Sequence, residues 1–221
     1  MVGSNDSLSQ NPNSIKVVSN KLIDENTVII FSSDNGYFNG SHGLGCKVLP
    51  YEEGARVPLI IADPRTGQRG KNKKTNALSG NVDITATILD LAGIKIPTIY
   101  DGTSLLPLLY DPDTQVRESL PIIQVWGPKA TQCLTVMDEQ YKYVYWYFED
   151  EGKNIHSTEE LFDLEKDPYE LVNQAGQSEY QSQLSRMRLL YDQQLNHWKS
   201  EGVKYNGYEK YGVLFDRFID D

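Results

Sequence analysis

The most constraining feature of the sequence is an apolar, β-branched run that ends in a polar turn. Residues 27–33 read Thr-Val-Ile-Ile-Phe-Ser-Ser and are followed directly by Asp34, Asn35 and Gly36. Such a run is typical of a buried strand, and open α/β sheets bind ligands at the carboxyl ends of their strands. Side chains alternate along a strand, so Asp34 and Asn35 can face one ion only where a turn, which Gly36 permits, interrupts that alternation. A carboxylate and an amide carbonyl suit a hard cation, but Asp-Asn-Gly by itself is more often a structural turn, so these residues alone make Asp34 and Asn35 only candidates for chemistry.

The segments that follow the turn predict an α/β layer. A glycine-rich loop at 36–50 leads to a second short apolar strand at 57–62. Apolar residues then recur at helical spacing over 81–93, where Asn81 is a candidate N-cap and a glycine ends the pattern. Strand, loop, strand and amphipathic helix in this order are typical of an α/β architecture, and we assign residues 1–112 to this part.

Beyond residue 112 the pattern predicts a separate small α+β subdomain at 113–200. Its expected elements are the two strands of an antiparallel hairpin, a short third strand and a final amphipathic helix, at 132–137, 141–148, 161–164 and 179–198. Alternating aromatic residues in the hairpin indicate core packing between neighbouring strands. The aromatic-rich tail at 201–221 either wraps on this domain or is disordered.

Composition excludes some classes of protein and leaves others open. The formal net charge of −10 argues against nucleic acid as a partner, because phosphate binding needs clustered lysine and arginine. No apolar run approaches the roughly 18 residues of a membrane span. Residues 1–10 lack the basic start and apolar middle of a signal peptide. The two cysteines, Cys46 and Cys133, form no disulfide framework or metal motif, and Cys46 is interpreted as a buried small apolar residue.

Several motifs in series resemble one known family. The Asp34-Asn-Gly turn is followed by His42-Gly-Leu, by Lys47 and by Tyr51-Glu-Glu-Gly-Ala-Arg-Val-Pro. In this order and spacing they resemble the type I sulfatases of the alkaline phosphatase superfamily. The resemblance continues through the segments 82–93, 101–109, 141–143 and 161–171. It implies the C-terminal part of an alkaline-phosphatase-like mixed sheet flanked by helices, followed by a small antiparallel sheet that a C-terminal helix covers.

The resemblance also implies a function and a set of site residues. Sulfatases hydrolyse sulfate esters or sulfamates with a formylglycine nucleophile and a divalent cation, usually calcium. Asp34 and Asn35 match the family's metal ligands, and Lys47 matches its sulfate-binding lysine. His42 matches a substrate-pocket position, although Ser41 replaces the more usual glutamate before it. The expected substrate is a sulfated small molecule or glycan, and the expected location is periplasmic, extracellular or lysosomal.

One departure from the family limits this expectation. The sequence contains no Cys-x-Pro-Ser-Arg or Ser-x-Pro-x-Arg motif, so no catalytic nucleophile is assigned. The family's early Asp-Asp pair and mid-chain histidines are also missing. The chain therefore resembles the C-terminal portion of a sulfatase. A phosphoesterase of the same superfamily and an inactive sulfatase-derived fragment stay open as alternatives. We expect such a fragment to self-associate, because part of its sheet would be uncovered.

Charged residues near the second strand receive a structural interpretation. Glu52, Glu53 and Arg56 are expected to hold the loop against the sheet through ion pairs and hydrogen bonds. His156 and His197 match no motif, so we interpret both as surface residues.

Overall fold

The α/β part of the chain begins with two strands that pair with each other. The computed structural model describes residues 24–67, 73–125, 131–150, 154–202 and 207–218. Strand β1 (Ile29–Ser32) pairs antiparallel with β2 (Leu59–Ala62). Both strands were predicted, and each is shorter by a few residues than its apolar run. A short helix, α1 (Glu52–Ala55), precedes β2.

The β1–β2 pair is half-buried on one face and exposed on the other, so the prediction of a buried strand is wrong for the described part of the chain. Phe31 is directly opposite Ile60 in the register, and their exposed fractions are 45% and 46%. Ile29, on the same face of β1, is 37% exposed. The alternation of exposed and half-buried residues in both strands shows that nothing in the described part of the chain covers this face. The result is an apolar sheet surface open to solvent.

Two helices complete the first part of the chain. Helix α2 (Asn81–Leu91) confirms the predicted amphipathic helix, and α3 (Leu106–Tyr110) is a short helix with a proline in its first turn. The N-cap of α2 is Gly80, whose N–H donates to the Asp83 carboxylate at 2.8 Å. Asn81 is therefore not the cap, which leaves its side chain free for contacts described below.

The second part of the chain is a four-stranded antiparallel meander. Its strands are β3 (Leu120–Gln124), β4 (Thr131–Met137), β5 (Tyr141–Glu149) and β6 (Ile155–Asp163), in that spatial order. The predicted hairpin of β4 and β5 is confirmed. The predicted short strand at 161–164 is the end of the nine-residue β6, whose polar first half gave no apolar signal.

A long helix covers one face of this meander, as predicted. Helix α4 (Gln181–Glu201) buries five residues at helical spacing, namely Leu184, Met187, Leu190, Tyr191 and Leu195. They pack on buried residues of the sheet such as Tyr143 and Leu161. Because period-3.6 and period-2 apolar patterns meet here, this core was the most predictable part of the fold.

The described part of the tail wraps on this core. Helix α5 (Glu209–Leu214) buries Tyr211, and the following Phe215 is fully buried. The Tyr191 hydroxyl donates to the Phe215 carbonyl at 2.6 Å. Residues 207–218 therefore wrap on the domain, which is the first of the two alternatives predicted for the tail. None of the helices among the residues with a described structure is long and apolar enough to cross a membrane.

The two cysteines lie in opposite environments. Cys133 is buried in β4, and this burial raises the pKa of its thiol to about 12. Cys46 is exposed in the loop before α1, so its interpretation as a buried apolar residue is wrong. Its backbone has a φ of 71°, in the left-handed region that residues other than glycine seldom adopt.

Candidate functional site

The Asp-Asn turn follows the carboxyl end of β1 and directs the side-chain oxygens of Asp34 and Asn35 to the Lys47 ammonium. The Lys47 ammonium donates to Asn35 Oδ1 at 2.8 Å and lies 4.0 Å from Asp34 Oδ2. The Asp34 side chain is 85% exposed, and that of Lys47 is 46% exposed. Three of the predicted site residues, Asp34, Asn35 and Lys47, therefore meet at the surface of the α/β part.

These ligands fit a hard divalent cation in kind but not in number. A carboxylate oxygen and an amide oxygen are the donors that calcium prefers. Lys47 shows that both can face a single cation at once. Calcium takes about 6–8 oxygen ligands, so Asp34 and Asn35 supply only part of a coordination shell. The chain could thus hold one side of a divalent cation.

The turn is held from behind by a close backbone contact. Gly36 N–H donates to the Gly54 carbonyl at 2.9 Å. A Cβ at Gly36 would lie 2.0 Å from the Glu53 carbonyl oxygen, and one at Gly54 would lie 2.7 Å from the Leu49 carbonyl oxygen. Only glycine fits at either position. Gly36 lets α1 approach the turn, and Gly54 lets the preceding loop pack against α1.

Asn81 holds the turn from the other side. Its Nδ2 donates to the backbone carbonyls of Ser33 and Asp34, at 3.0 Å in each case. The sequence analysis assigned Asn81 to helix capping and missed this role. The signal available in the sequence for this role was a polar residue at the first position of the predicted helix. Its amide positions the backbone from which the two oxygen ligands project.

The loop between the turn and α1 folds back on itself and so returns Lys47 to Asn35. Phe38 N–H donates to the Cys46 carbonyl at 2.8 Å, and Gly40 N–H donates to the Leu44 carbonyl at 3.0 Å. His42 therefore lies at the tip of the folded loop. In the described part of the chain only four non-glycine residues have positive φ, and three belong to this loop, namely His42, Cys46 and Val48. Such strain concentrates at functional sites, where surrounding structure maintains it.

His42 does not join the group of three site residues directly. Among the residues with a described structure, its ring and polar contacts are with Phe38, Tyr51 and Glu53. The His42 ring stacks on Tyr51 at a centroid distance of 4.5 Å. Its Nε2 lies 3.4 Å from Glu53 Oε2. The predicted pocket role of His42 stays a prediction, and Glu53 is a partner that the sequence analysis classed only as structural.

A buried lysine of the small subdomain anchors the segment that follows the loop. Lys142, fully buried on β5, donates to the Pro50 carbonyl at 3.0 Å and to Glu52 Oε1 at 2.8 Å. It also pairs with Glu170 Oε1 at 2.8 Å, and Glu170 Oε2 accepts from the Glu52 N–H at 2.6 Å. Burial raises the pKa of Glu170, although the Lys142 ammonium acts in the opposite direction. Glu52 thus has the structural role that was predicted.

A second anchor involves Tyr51. Its hydroxyl donates to Glu160 Oε2 at 3.1 Å, and Trp146 Nε1 donates to the same oxygen at 2.7 Å. Burial and the neighbouring Glu160 carboxylate raise the pKa of the Tyr51 hydroxyl, which keeps it protonated as a donor. We call Lys142, Glu160 and Glu170 the clamp, since they fix residues 50–52 to the small subdomain.

Comparisons with known proteins identify the family to which this chain is similar. The family model described as N-sulphoglucosamine sulphohydrolase, C-terminal, matches residues 40–201. An N-acetylglucosamine-6-O-sulfatase of Bacteroides thetaiotaomicron is 29% identical over 197 residues, which cover 86% of this chain and 33% of that protein.

Two solved structures extend the comparison to the fold. One protein, in complex with its substrate D-glucosamine-2-N,6-O-disulfate, superposes with a TM-score of 0.67 at 26% identity, over 89% of this chain and 39% of its own. A phosphonate monoester hydrolase of Agrobacterium radiobacter also gives a TM-score of 0.67, at 25% identity, over 88% of this chain and 39% of its own.

The fold defines a class: the hydrolases with an alkaline-phosphatase-like α/β fold. The chain belongs to the sulfatase family within that class and corresponds to its C-terminal region. It spans about a third of the length of the curated relative described above. The predicted family and fold are thereby confirmed.

Proposed function

We propose that this chain is the C-terminal part of a sulfatase that hydrolyses a sulfated sugar. The observation that carries the proposal is the convergence of Asp34 Oδ2 and Asn35 Oδ1 on the Lys47 ammonium. A bound calcium ion would supply positive charge for the oxygens of the sulfate group. Lys47 would donate a hydrogen bond to a sulfate oxygen or to the leaving-group oxygen, where negative charge develops during hydrolysis.

The sugar class is supported by two of the similar proteins. One is named an N-acetylglucosamine-6-O-sulfatase, and the other was solved with a disulfated glucosamine. The loop that carries His42 and Lys47 lies within the residues that match the sulphoglucosamine family model. A sulfated amino sugar is therefore the substrate that we propose to test first.

Substitution of Lys47 tests the function. We expect no sulfate release by this chain alone, because its sequence carries no nucleophile motif. A fusion of the chain to the N-terminal portion of the similar N-acetylglucosamine-6-O-sulfatase should release sulfate from D-glucosamine 6-sulfate when calcium is present. Lys47→Ala in this fusion should lower kcat/KM by about 10²–10³-fold, the usual cost of losing one donor to developing negative charge. Ion chromatography of the released sulfate measures the rate.

Lys95→Ala, an exposed lysine outside the site, is the matched control and should leave kcat/KM unchanged. Equal rates for the Lys47→Ala and parent fusions would contradict the proposal. Preferential hydrolysis of a matched phosphate or phosphonate ester would favour the second candidate, a phosphoesterase. That candidate is supported by the similarity to the phosphonate monoester hydrolase. An inactive fusion that still folds and binds calcium would favour the third, an inactive sulfatase-derived fragment.

Self-association is a separate part of the proposal. Ile29, Phe31 and Ile60 present an apolar surface on two short strands that the described residues leave uncovered. We expect the isolated chain to form dimers or larger species through this surface, since exposed apolar strands are prone to pairing. Multi-angle light scattering should show a mass above that of the 25.1 kDa monomer, and Phe31→Ser should lower it. A monodisperse monomer at high protein concentration would contradict this expectation.

A further inference from the structure

The pairing of His42 with Glu53 is an arrangement that the proposed metal and sulfate contacts do not use. His42 Nε2 and Glu53 Oε2 lie 3.4 Å apart, and each atom is buried and makes no hydrogen bond in the described part of the chain. The two side chains are 14% and 22% exposed. Because buried polar atoms are almost always paired, these two atoms are best satisfied by each other, through a proton on Nε2.

Several contacts restrict the orientation of the imidazole ring. The Tyr51 ring stacks on it with an interplanar angle of 15°, and the Phe38 ring meets it edge-on at 6.3 Å. The hydroxyl of Tyr51 is itself fixed by Glu160 of the clamp. His42 also has a φ of 54°, a conformation that non-glycine residues seldom adopt. The loop and its neighbours thus restrict the plane of the imidazole ring.

Glu53 is in turn fixed to the metal turn. Its backbone carbonyl lies where a side chain at Gly36 would otherwise be, and Gly36 follows Asn35 directly. The adjacent Glu52 is anchored by Lys142. One short helix therefore fixes both the backbone behind the metal ligands and the carboxylate that meets His42.

We propose that Glu53 is a positioning residue that holds Nε2–H of His42 inward and leaves Nδ1 as a hydrogen-bond acceptor for a hydroxyl group of the sulfated sugar. Nδ1 is not among the buried unpartnered atoms, and no residue with a described structure contacts it through a hydrogen bond. A neutral imidazole that donates through one nitrogen accepts through the other. The ring orientation stands independently, whereas the sugar contact rests on the proposed function.

A metal ion between the same side chains is the competing arrangement. One ligand atom from each of His42, Glu53 and Glu170 lies within 4.8 Å of the others. However, the Lys142 ammonium already lies 2.8 Å from Glu170 Oε1. A divalent cation on the same oxygen would be repelled by this buried positive charge. The test below therefore includes zinc addition and chelation as one of its arms.

The ring N–H signal of His42 tests the orientation in the intact chain. A chain labelled with ¹⁵N-histidine should show one slowly exchanging ring N–H at about pH 8.5, roughly two units above the ordinary histidine pKa of about 6.5. Two-bond ¹⁵N–¹H correlation assigns it to Nε2, and His42→Gln assigns it to the residue. Solid-state ¹⁵N spectra give the same signature from self-associated protein. His156 and His197, which are 49% and 57% exposed, are internal controls whose ring protons should exchange too fast for detection.

Variants at Glu53 test its part in the pair. Glu53→Ala should abolish the protected signal, whereas Glu53→Gln, whose amide oxygen can still accept, should retain it. Glu139→Ala, an exposed carboxylate in the turn between β4 and β5, is the matched control and should change nothing. Absence of the signal in the parent chain, or its persistence in Glu53→Ala, would overturn the proposal. A loss of the signal on zinc addition that EDTA reverses would overturn it in favour of a metal site.

Ligand addition tests the free nitrogen. With calcium present, D-glucosamine 6-sulfate should shift the Nδ1 resonance in the parent chain, and sodium sulfate should not. The shift should be lost in Glu53→Ala and kept in Glu53→Gln. A shift with neither ligand, or an equal shift with both, would overturn the hydroxyl contact. A protected Nε2–H in a chain whose fusion is inactive would leave the ring orientation standing while the proposed function fails.

Discussion

Lys142→Met should lower the free energy of unfolding by about 3–5 kcal/mol, the usual cost of removing one partner from a buried ion pair. Lys142 is fully buried, and its ammonium contacts two glutamates and the Pro50 carbonyl. Methionine keeps the volume but leaves the buried Glu170 carboxylate without its cation. Urea denaturation followed by tryptophan fluorescence measures the loss, since Trp146 lies on the same strand.

Two further variants make this result specific. Lys142→Met combined with Glu170→Gln should recover a large part of the loss, because the substituted amide side chain would be neutral and its oxygen could still accept from the Glu52 N–H. Lys95→Met is the matched control on an exposed lysine, and should change stability by less than about 0.5 kcal/mol. Equal stability of Lys142→Met and Lys95→Met would show that the clamp contributes nothing.

Gly36→Ala should lower stability by about 1–3 kcal/mol or more, as is usual for overpacking, and should abolish the calcium binding that we propose for the Asp-Asn turn. The new Cβ would lie 2.0 Å from the Glu53 carbonyl oxygen, which belongs to the backbone and cannot move alone. Either α1 must shift away from the turn, or the turn must rotate, and the side-chain oxygens of Asp34 and Asn35 would then no longer face the same point. Isothermal titration with calcium and urea denaturation measure the two effects separately.

Gly45→Ala is the matched control in the same loop, because a Cβ at Gly45 would meet nothing within 4 Å. It should bind calcium like the parent chain. Asp34→Ala is the positive control, since it removes the carboxylate without crowding the backbone. If Gly36→Ala bound calcium as tightly as Gly45→Ala, the contact between α1 and the turn would not position the ligands.

Much of the fold was predictable because its apolar patterns are strong. The period-2 pattern of β4 and β5 and the period-3.6 pattern of α4 each indicated a single face, and the structure packs those faces together. Burial of β1 was overestimated because an apolar run does not reveal whether both faces of a strand find a partner. The length of β6 was underestimated because its first half is polar on a strand at the edge of the sheet.

The candidate site was predictable only where its residues are close in sequence. Asp34, Asn35 and Lys47 stand in one motif series, and the structure brings their side chains together. Asn81, Lys142 and Glu170 were not assigned to the site, because they reach it from other elements. Cys46 was assigned to the core from residue type alone, whereas the folded loop leaves it exposed.

The sequence by itself determined the family, and it predicted the Asp-Asn turn, the α/β part and the small antiparallel sheet. Apolar periodicity and short motifs depend only on residues that are close in sequence. Only the tertiary structure decided what holds that turn in place. The Glu53 carbonyl lies 17 residues along the chain from Gly36, which it contacts. The Asn81 amide lies 48 and 47 residues from the Ser33 and Asp34 carbonyls. The buried Lys142 lies 92 residues from the Pro50 carbonyl. Contacts of this kind depend on how separate elements pack, which no local pattern specifies.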